Sequence, residues 1–275
     1  MKELSYKVHY LIMPELPEVE SIRRQLEPLL LGHHVTESDS HPSDKFSPAR
    51  EIVGLGFEAV LRRGKYLLFS LDNGTEMVIH LGMTGQLMPV SDLSDPHLRA
   101  WWKLDNNVTL GYRDIRRFGR IRICLPGDYE GTLKKLGPEP LSDDFTIDAF
   151  YASLKRSSRK IKTQLLSQLP VAGVGNIYAD EACFHAGIYP GLRKLTRSKT
   201  ADLHHSIRQV LYSAVENGGT TLRDYVNVEG KQGRNQQYLA CYGRDGLPCI
   251  NCGELLRRTV IDGRGTTFCP TCQRR

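Results

Sequence analysis

The sequence has no apolar run long enough to cross a membrane as a helix, which excludes a helical membrane protein. Residues 1–12 lack the contiguous apolar region and small-residue cleavage site of a signal peptide. The expected location is therefore the cytoplasm. Cysteine is sparse, seven in 275 residues, and in such a compartment that number does not build a disulfide framework. No internal repeat of useful length is visible, which removes repeat architectures.

What is present fits an ordinary globular chain, 40% hydrophobic and 25% charged, with length for two modest domains. Net charge is +6, a moderate excess whose distribution carries more weight than its size. Between Lys155 and Lys162, five of eight residues are basic (Lys155, Arg156, Arg159, Lys160, Lys162). The last 27 residues hold Arg257, Arg258, Arg264, Arg274 and Arg275 against Glu254 and Asp262. A solvated helix face accounts for any one such run; together they suit a polyanionic backbone.

Residues 18–31 place Val19, Ile22, Leu26 and Leu29 at near-helical spacing, opened by Pro17 and closed by Gly32, with Pro28 bending the end. From 35 to 125 the pattern changes to short strands. Tyr66–Leu71, a turn at Asp72-Asn73-Gly74 and a strand over 75–81 predict a hairpin. Strands over 100–104 and 109–110 pair across Asp105-Asn106-Asn107, and 119–125 gives another. This region reads as a sandwich or barrel. Residues 127–140, rich in Gly and Pro, form the linker candidate. Beyond it the periodicity predicts helices over 147–154, 159–168, 177–186 and 201–217, the last with Leu203, Ile207, Val210, Leu211 and Ala214 on one face. A polar stretch, 226–237, reads as a mobile loop.

Cys249-x2-Cys252, sixteen residues, then Cys269-x2-Cys272 is a strong zinc pattern. Two such knuckles present four sulfurs to one tetrahedral ion, and the span between them accommodates a β-hairpin. Its strands are expected over 259–261 and 266–268, with Asp262-Gly263-Arg264-Gly265 at the tip. All four ligands are used, so the site is closed and structural, and the small segment depends on its metal to fold. Arg264 on that turn is placed to grip a phosphate with two donors, or is simply solvated. Cys124, Cys183 and Cys241 stand apart and read as inert thiols.

The run Met13-Pro14-Glu15-Leu16-Pro17-Glu18-Val19-Glu20, the stretch Gly173-Val174-Gly175-Asn176-Ile177-Tyr178-Ala179-Asp180-Glu181 and the finger together closely resemble the bacterial formamidopyrimidine-DNA glycosylases. The resemblance spans about 13–273 and has anchors throughout it. It implies a multi-domain α+β fold: an N-terminal β-sandwich-like domain with a flanking helix, a helical helix–two-turn–helix domain, and a four-cysteine β-hairpin zinc finger. The implied division is 1–12 as an extension, 13–126 as the β-rich catalytic domain, 127–145 as linker, 146–240 as the helical DNA-binding domain with a lesion-capping loop, and 241–275 as the finger.

The implied activity is excision of oxidised purines, 8-oxoguanine and formamidopyrimidines, followed by strand cleavage through β,δ-elimination. On that pattern Pro14 is the N-terminal nucleophile, forming a Schiff base at C1′, and Glu15 the acid–base residue. Lys65, Lys162, Asn176 and Arg264 match DNA contacts near the lesion, Lys65 and Arg264 also counting among the catalytic set. Met83, Arg116 and Phe118 match the residues that fill the hole left by a flipped nucleotide; read alone, Met83 and Phe118 are core-type strand residues. The resemblance implies one structural zinc ion, no redox cofactor, damaged double-stranded DNA as partner, no membrane, a monomeric working unit and action at the bacterial nucleoid.

A proline inside a chain has no nucleophilic lone pair, so this chemistry requires Pro14 to be terminal. The expectation is that translation starts at Met13, which is then removed. Gln232-Gly233-Arg234-Asn235 departs from the family, which places an aromatic after the glycine; Ser167 and Pro170 depart as well. Two alternatives stand beside the main reading. One is an oxidised-pyrimidine enzyme of the endonuclease VIII type, against which the opening motif argues. The other is a non-catalytic lesion-binding protein, if Pro14 is not N-terminal.

Overall fold

The computed structural model describes residues 13–222 and 225–274. The extension expected over 1–12 lies outside the described residues. Helix α1, Leu16–Leu30, starts where Pro17 fixes a helical φ and the Glu18 carboxylate accepts the Glu15 N–H at 2.8 Å. It buries Val19, Ile22, Leu26 and Leu30 against the sheet, with Leu30, four residues beyond Leu26, taking the place expected of Leu29.

Eight antiparallel strands follow: β1 (Val35–Ser40), β2 (Phe57–Arg63), β3 (Tyr66–Leu71), β4 (Glu76–His80), β5 (Gly85–Pro89), β6 (Leu98–Leu104), β7 (Thr109–Asp114) and β8 (Arg120–Cys124). They make two four-stranded sheets, ordered β1-β6-β7-β5 and β2-β3-β4-β8. Trp102, Tyr112, Phe69 and Met77 meet between them in one core. The period-2 pattern shows in β6, where Ala100, Trp102 and Leu104 are buried and the residues between them are not. β3 departs from it because Leu68, on its outer face, is covered by Leu133. The chain changes sheets three times, at β1–β2, β4–β5 and β7–β8, and the last two corners lie together.

A single-turn helix, α2 (Gly131–Lys134), falls within the expected linker. Then come α3 (Ile147–Lys155), α4 (Ile161–Leu166), α5 (Asn176–His185) and α6 (Arg197–Glu216), packed around Phe150, Leu165, Tyr178 and Leu211. Leu16, from α1, belongs to this second core, so the start of α1 is embedded in the helical region. The finger hairpin is β9 (Arg257–Ile261) with β10 (Arg264–Phe268). Its turn is shorter than expected: Asp262 and Gly263, at φ +45° and +78°, suffice for a two-residue type I′ turn, and Arg264 is already in strand. Among the described residues no helix is long and apolar enough to cross a membrane.

Candidate active site and nucleic-acid interface

The stretch from Gly173 to Asn176 is a glycine-shaped turn leading into α5. Gln168 staples it, donating from Nε2 to Val174 O and accepting the Gly173 N–H at 2.7 Å. Gly173 has φ +82°, and a Cβ there would run into Leu16; a Cβ on Gly175 would stand 2.2 Å from Glu15 Cδ. These two glycines let the start of α1 close onto the start of α5. The Glu15 carboxylate then sits on the helix N-terminus. Its Oε1 accepts the Ile177 N–H at 2.8 Å, and its Oε2 accepts those of Gly175 at 2.7 Å and Tyr178 at 3.3 Å. Burial nevertheless raises its pKa above the ordinary carboxylate value, outweighing Lys65 and the backbone donors.

Glu18 lies behind it as a second buried carboxyl. Oε1 accepts from Tyr178 Oη and from the Thr220 N–H, each at 2.6 Å. Burial and the neighbouring Glu15 charge push its pKa up to about 7. Tyr178 and Thr220 hydroxyls meet at 2.9 Å, and Asn235 Nδ2 donates to Thr220 Oγ1 at 2.8 Å. A polar chain thus runs from beside Glu15 to the 226–237 stretch. Sequence reasoning missed Glu18, Tyr178 and Thr220; the available signal was a second glutamate three residues after Glu15, in capping-box spacing.

Lys65 occupies the two-residue turn between β2 and β3. Glu139 anchors that turn: it accepts Gly64 N–H at 2.7 Å and pairs with Arg62 at 2.7 Å and Arg63 at 2.8 Å. Burial lowers the Lys65 pKa and nearby Arg264 lowers it further, while Glu15 and Glu18 oppose the shift. His80 is pushed down to about 4 by burial and by Lys65 and Arg120, so it stays neutral in a field of positive charge.

A cleft of about 460 Å³ brings the expected residues together. Met13, Glu15, Lys65 and Met83 line it from one side, Asn176, Tyr242 and Arg264 from the other. Pro14 itself is buried directly ahead of α1. Asn176 is the first residue of α5, its Nδ2 reaching Gly265 O at 3.3 Å and Tyr242 Oη at 3.4 Å. Exposed Arg264 projects from a hairpin whose turn is fixed by Asp262, which accepts from Lys160 Nζ at 2.8 Å and Thr163 Oγ1 at 2.5 Å.

Lys162 differs from expectation. It is fully buried, and its ammonium donates to Asp180 Oδ1 at 2.6 Å, Gly265 O at 2.9 Å and Thr266 Oγ1 at 2.9 Å. All three donors are used, so the direct DNA contact expected of this residue is not available to it in this position. It braces α4 and α5 to the finger. Two acids of α5 do related work: Asp180 Oδ2 accepts Thr267 N–H at 2.9 Å, and Glu181 accepts the N–H groups of Ala240, Cys241 and Tyr242. Acidic residues within an otherwise apolar helix were the legible sign of such buried roles.

Met83 lies not in a strand but in the turn between β4 and β5, and Arg116 and Phe118 lie in the loop between β7 and β8. Phe118 is half exposed, with the Arg116 guanidinium 4.7 Å from its ring centroid. An apolar tip and a cation on two adjoining corners can enter a base stack, which a core residue could not.

The stretch over 226–237 is held at several points. Val228 N–H donates to Gln25 Oε1 at 3.0 Å, Gly233 N–H to Thr221 Oγ1 at 2.9 Å, and residues Asn235–Tyr238 form a 3-10 turn. The buried Asn235 amide takes the interior position.

The four finger sulfurs lie within 4.8 Å of one another, with Cys249–Cys272 at 3.9 Å and Cys252–Cys269 at 3.5 Å. A tetrahedral zinc with ordinary Zn–S bonds needs sulfurs about 3.8 Å apart, so the set fits. Asn251 N–H points to Cys249 Sγ at 3.4 Å and Cys272 N–H to Cys269 Sγ at 3.3 Å, donors that favour thiolates. Bound there, zinc would cross-link the two knuckles. Cys183 and Cys241 are buried, and burial raises both thiols, in keeping with inert roles.

Comparison with known proteins gives a consistent result. Residues 13–121 match the family model of the formamidopyrimidine-DNA glycosylase N-terminal domain, 136–226 that family's H2TH domain, and 246–275 the zinc finger found in FPG and IleRS. The formamidopyrimidine-DNA glycosylase of Thermus thermophilus is 46% identical over 95% of this chain and 98% of its own length. That of Bacillus licheniformis is 42% identical over 96% and 100%. The crystal structure of MutM (Fpg) from Thermus thermophilus superposes with a TM-score of 0.89, covering 94% of this chain and 98% of that one. Lactococcus lactis Fpg in complex with DNA containing an abasic site superposes at 0.86 with 34% identity, covering 95% and 100%.

Proposed function

The chain belongs to the formamidopyrimidine-DNA glycosylase family, and from that premise we propose that it removes oxidised purines, chiefly 8-oxoguanine and formamidopyrimidines, from duplex DNA and then cleaves the strand. It is a base-excision repair DNA glycosylase and AP lyase. The observation that carries the mechanistic reading is Glu15, a buried carboxyl of raised pKa set on a helix N-terminus in a cleft shared with Lys65 and Arg264.

In this reading the mature chain begins at Pro14. Met13 lines the cleft, so its removal turns the Pro14 nitrogen toward the substrate as a secondary amine. The match to the N-terminal family model from residue 13 supports that start. The amine attacks C1′, the bond to the base nitrogen breaks, and the base departs with a proton. Glu15, whose raised pKa keeps a proton available nearer neutrality, assists opening of the sugar ring, which leaves an iminium on Pro14. Loss of the 3′ and then the 5′ phosphate follows, leaving a one-nucleotide gap. Lys65, Asn176 and Arg264 hold the phosphates about the lesion, while Met83 and Phe118 fill the vacated stack and Arg116 hydrogen-bonds to the base left without its partner. Lys162 acts through the finger it braces. The proposed working unit is a monomer in the bacterial cytoplasm, acting at the nucleoid, with one structural zinc and no redox cofactor.

The test is single-turnover excision from matched duplexes carrying 8-oxoguanine or an oxidised pyrimidine. Faster release of the purine is expected. Preference for the pyrimidine would assign the endonuclease VIII type of activity, and binding without release would assign a lesion binder.

A further inference from the structure

The β4–β5 and β7–β8 corners touch through their backbones. Gly82 has φ +64°, and a Cβ there would stand 2.6 Å from Gly119 N and from Phe118 C. One buried side-chain pair joins the corners. Thr84 Oγ1 donates to Asp114 Oδ1 at 2.6 Å and accepts the Arg116 N–H at 3.1 Å. Asp114 Oδ2 accepts the Gly119 N–H at 2.8 Å, so the pair grips both ends of the loop that carries Arg116 and Phe118. Asp114 is wholly buried, and its carbonyl takes the Arg99 Nε–H at 2.8 Å.

We propose that Thr84 and Asp114 are positioning residues that set the register between the Met83 turn and the Arg116 loop, and through it the discrimination of the base opposite the lesion. The proposal rests on the roles given above to Met83, Arg116 and Phe118. Neither Thr84 nor Asp114 is exposed enough to meet DNA itself: Thr84 is 8% exposed and Asp114 0%. A guanidinium that reads a base edge through two donors tolerates little displacement, because both hydrogen bonds depend on the same plane. The Arg116 backbone is fixed by the very hydroxyl that holds the turn beside Met83. Beside the Gly85–Asp114 strand pairing, the Thr84 hydroxyl is the side-chain tie that holds the wedge and the reading arginine in one register. The short hydroxyl-to-carboxylate bond is of the strong, charge-assisted kind.

Thr84→Val keeps the shape and deletes the bridge; Thr84→Ser keeps the bridge. Single-turnover excision of 8-oxoguanine opposite cytosine and opposite adenine is measured for both variants and the wild type, alongside borohydride trapping on a single-stranded abasic oligonucleotide, which has no partner base. Thr84→Val is expected to slow duplex excision about tenfold and to draw the cytosine-to-adenine rate ratio toward one. Trapping on the single strand should fall far less, and Thr84→Ser should keep the wild-type ratio. An unchanged ratio in Thr84→Val, a loss shared equally by duplex and single strand, or a serine variant as impaired as the valine variant overturns the inference. A wild type that excises opposite neither base defeats the underlying functional reading instead.

Discussion

Glu15 Oε1 accepts the Ile177 N–H at 2.8 Å, so the acid beside the proposed nucleophile is held by a helix of the other half of the molecule. The nucleophile's segment is thereby set by the docking of the start of α1 on the turn that opens α5, and the glycines at 173 and 175 permit that approach. Glu15→Gln should lower base excision by about a hundredfold or more, since general acid–base catalysis is lost, while binding of abasic duplex stays near wild type. Single-turnover rates and an equilibrium binding assay would separate the two. Equal loss of both would mean that Glu15 serves only to dock the helices.

Glu18 gives a pH signature. Its pKa moves from an ordinary value of 4.5 to about 7 in the fold, so the folded state binds its proton more readily than the unfolded chain. Its contribution to stability is full below 4.5 and is lost as pH rises through 7. Glu18→Gln should therefore flatten the dependence of Tm on pH across that window, removing a contribution of about 3 kcal/mol at most. Thermal melts of both proteins between pH 5 and 8 test it, and parallel curves would contradict it.

Lys162 and Arg264 are both basic, yet they should fail differently. Lys162→Met leaves the Asp180 carboxylate buried beside a hydrophobic chain, and should cost about 3 kcal/mol of stability with the salt dependence of DNA binding unchanged. Arg264→Ala should leave stability within about 0.5 kcal/mol and reduce the slope of log affinity against log salt by about one. Denaturant melts and a salt titration of binding distinguish the pair.

Zinc removal should act at a distance from the sandwich. Chelation is expected to unfold the hairpin bearing Arg264 and to weaken duplex binding at least about tenfold. The Trp102 core is built without the finger and should keep its near-ultraviolet signal. Metal analysis should return one zinc per chain, lost on Cys252→Ser.

How far the sequence could be read follows from how local each determinant is. The β3–β4 hairpin was legible because Asp72-Asn73-Gly74 supplies its turn and Tyr66–Leu71 its apolar strand. β5 was not, since Gly85 and Pro89 look like breakers; Gly85 is required there because a Cβ would meet Leu81 O at 2.2 Å and Tyr112 Oη at 2.8 Å. The zinc ligands are fixed by spacing alone. Lys162 sits in a basic run and reads as a surface charge, but its partners lie 18, 103 and 104 residues away. Nothing in the local pattern encodes that pairing. The bridge at Thr84 is likewise a tertiary fact, created where two sheet crossings meet.

The proposed mechanism stands on a free Pro14 amine that becomes covalently attached to DNA. The direct measurement is the intact mass of the protein from its native source, followed by borohydride trapping on duplex DNA containing 8-oxoguanine and mapping of the adduct. A chain beginning at Pro14 and an adduct on that residue are expected. A chain that retains Met13 and binds the duplex without ever being trapped would contradict it.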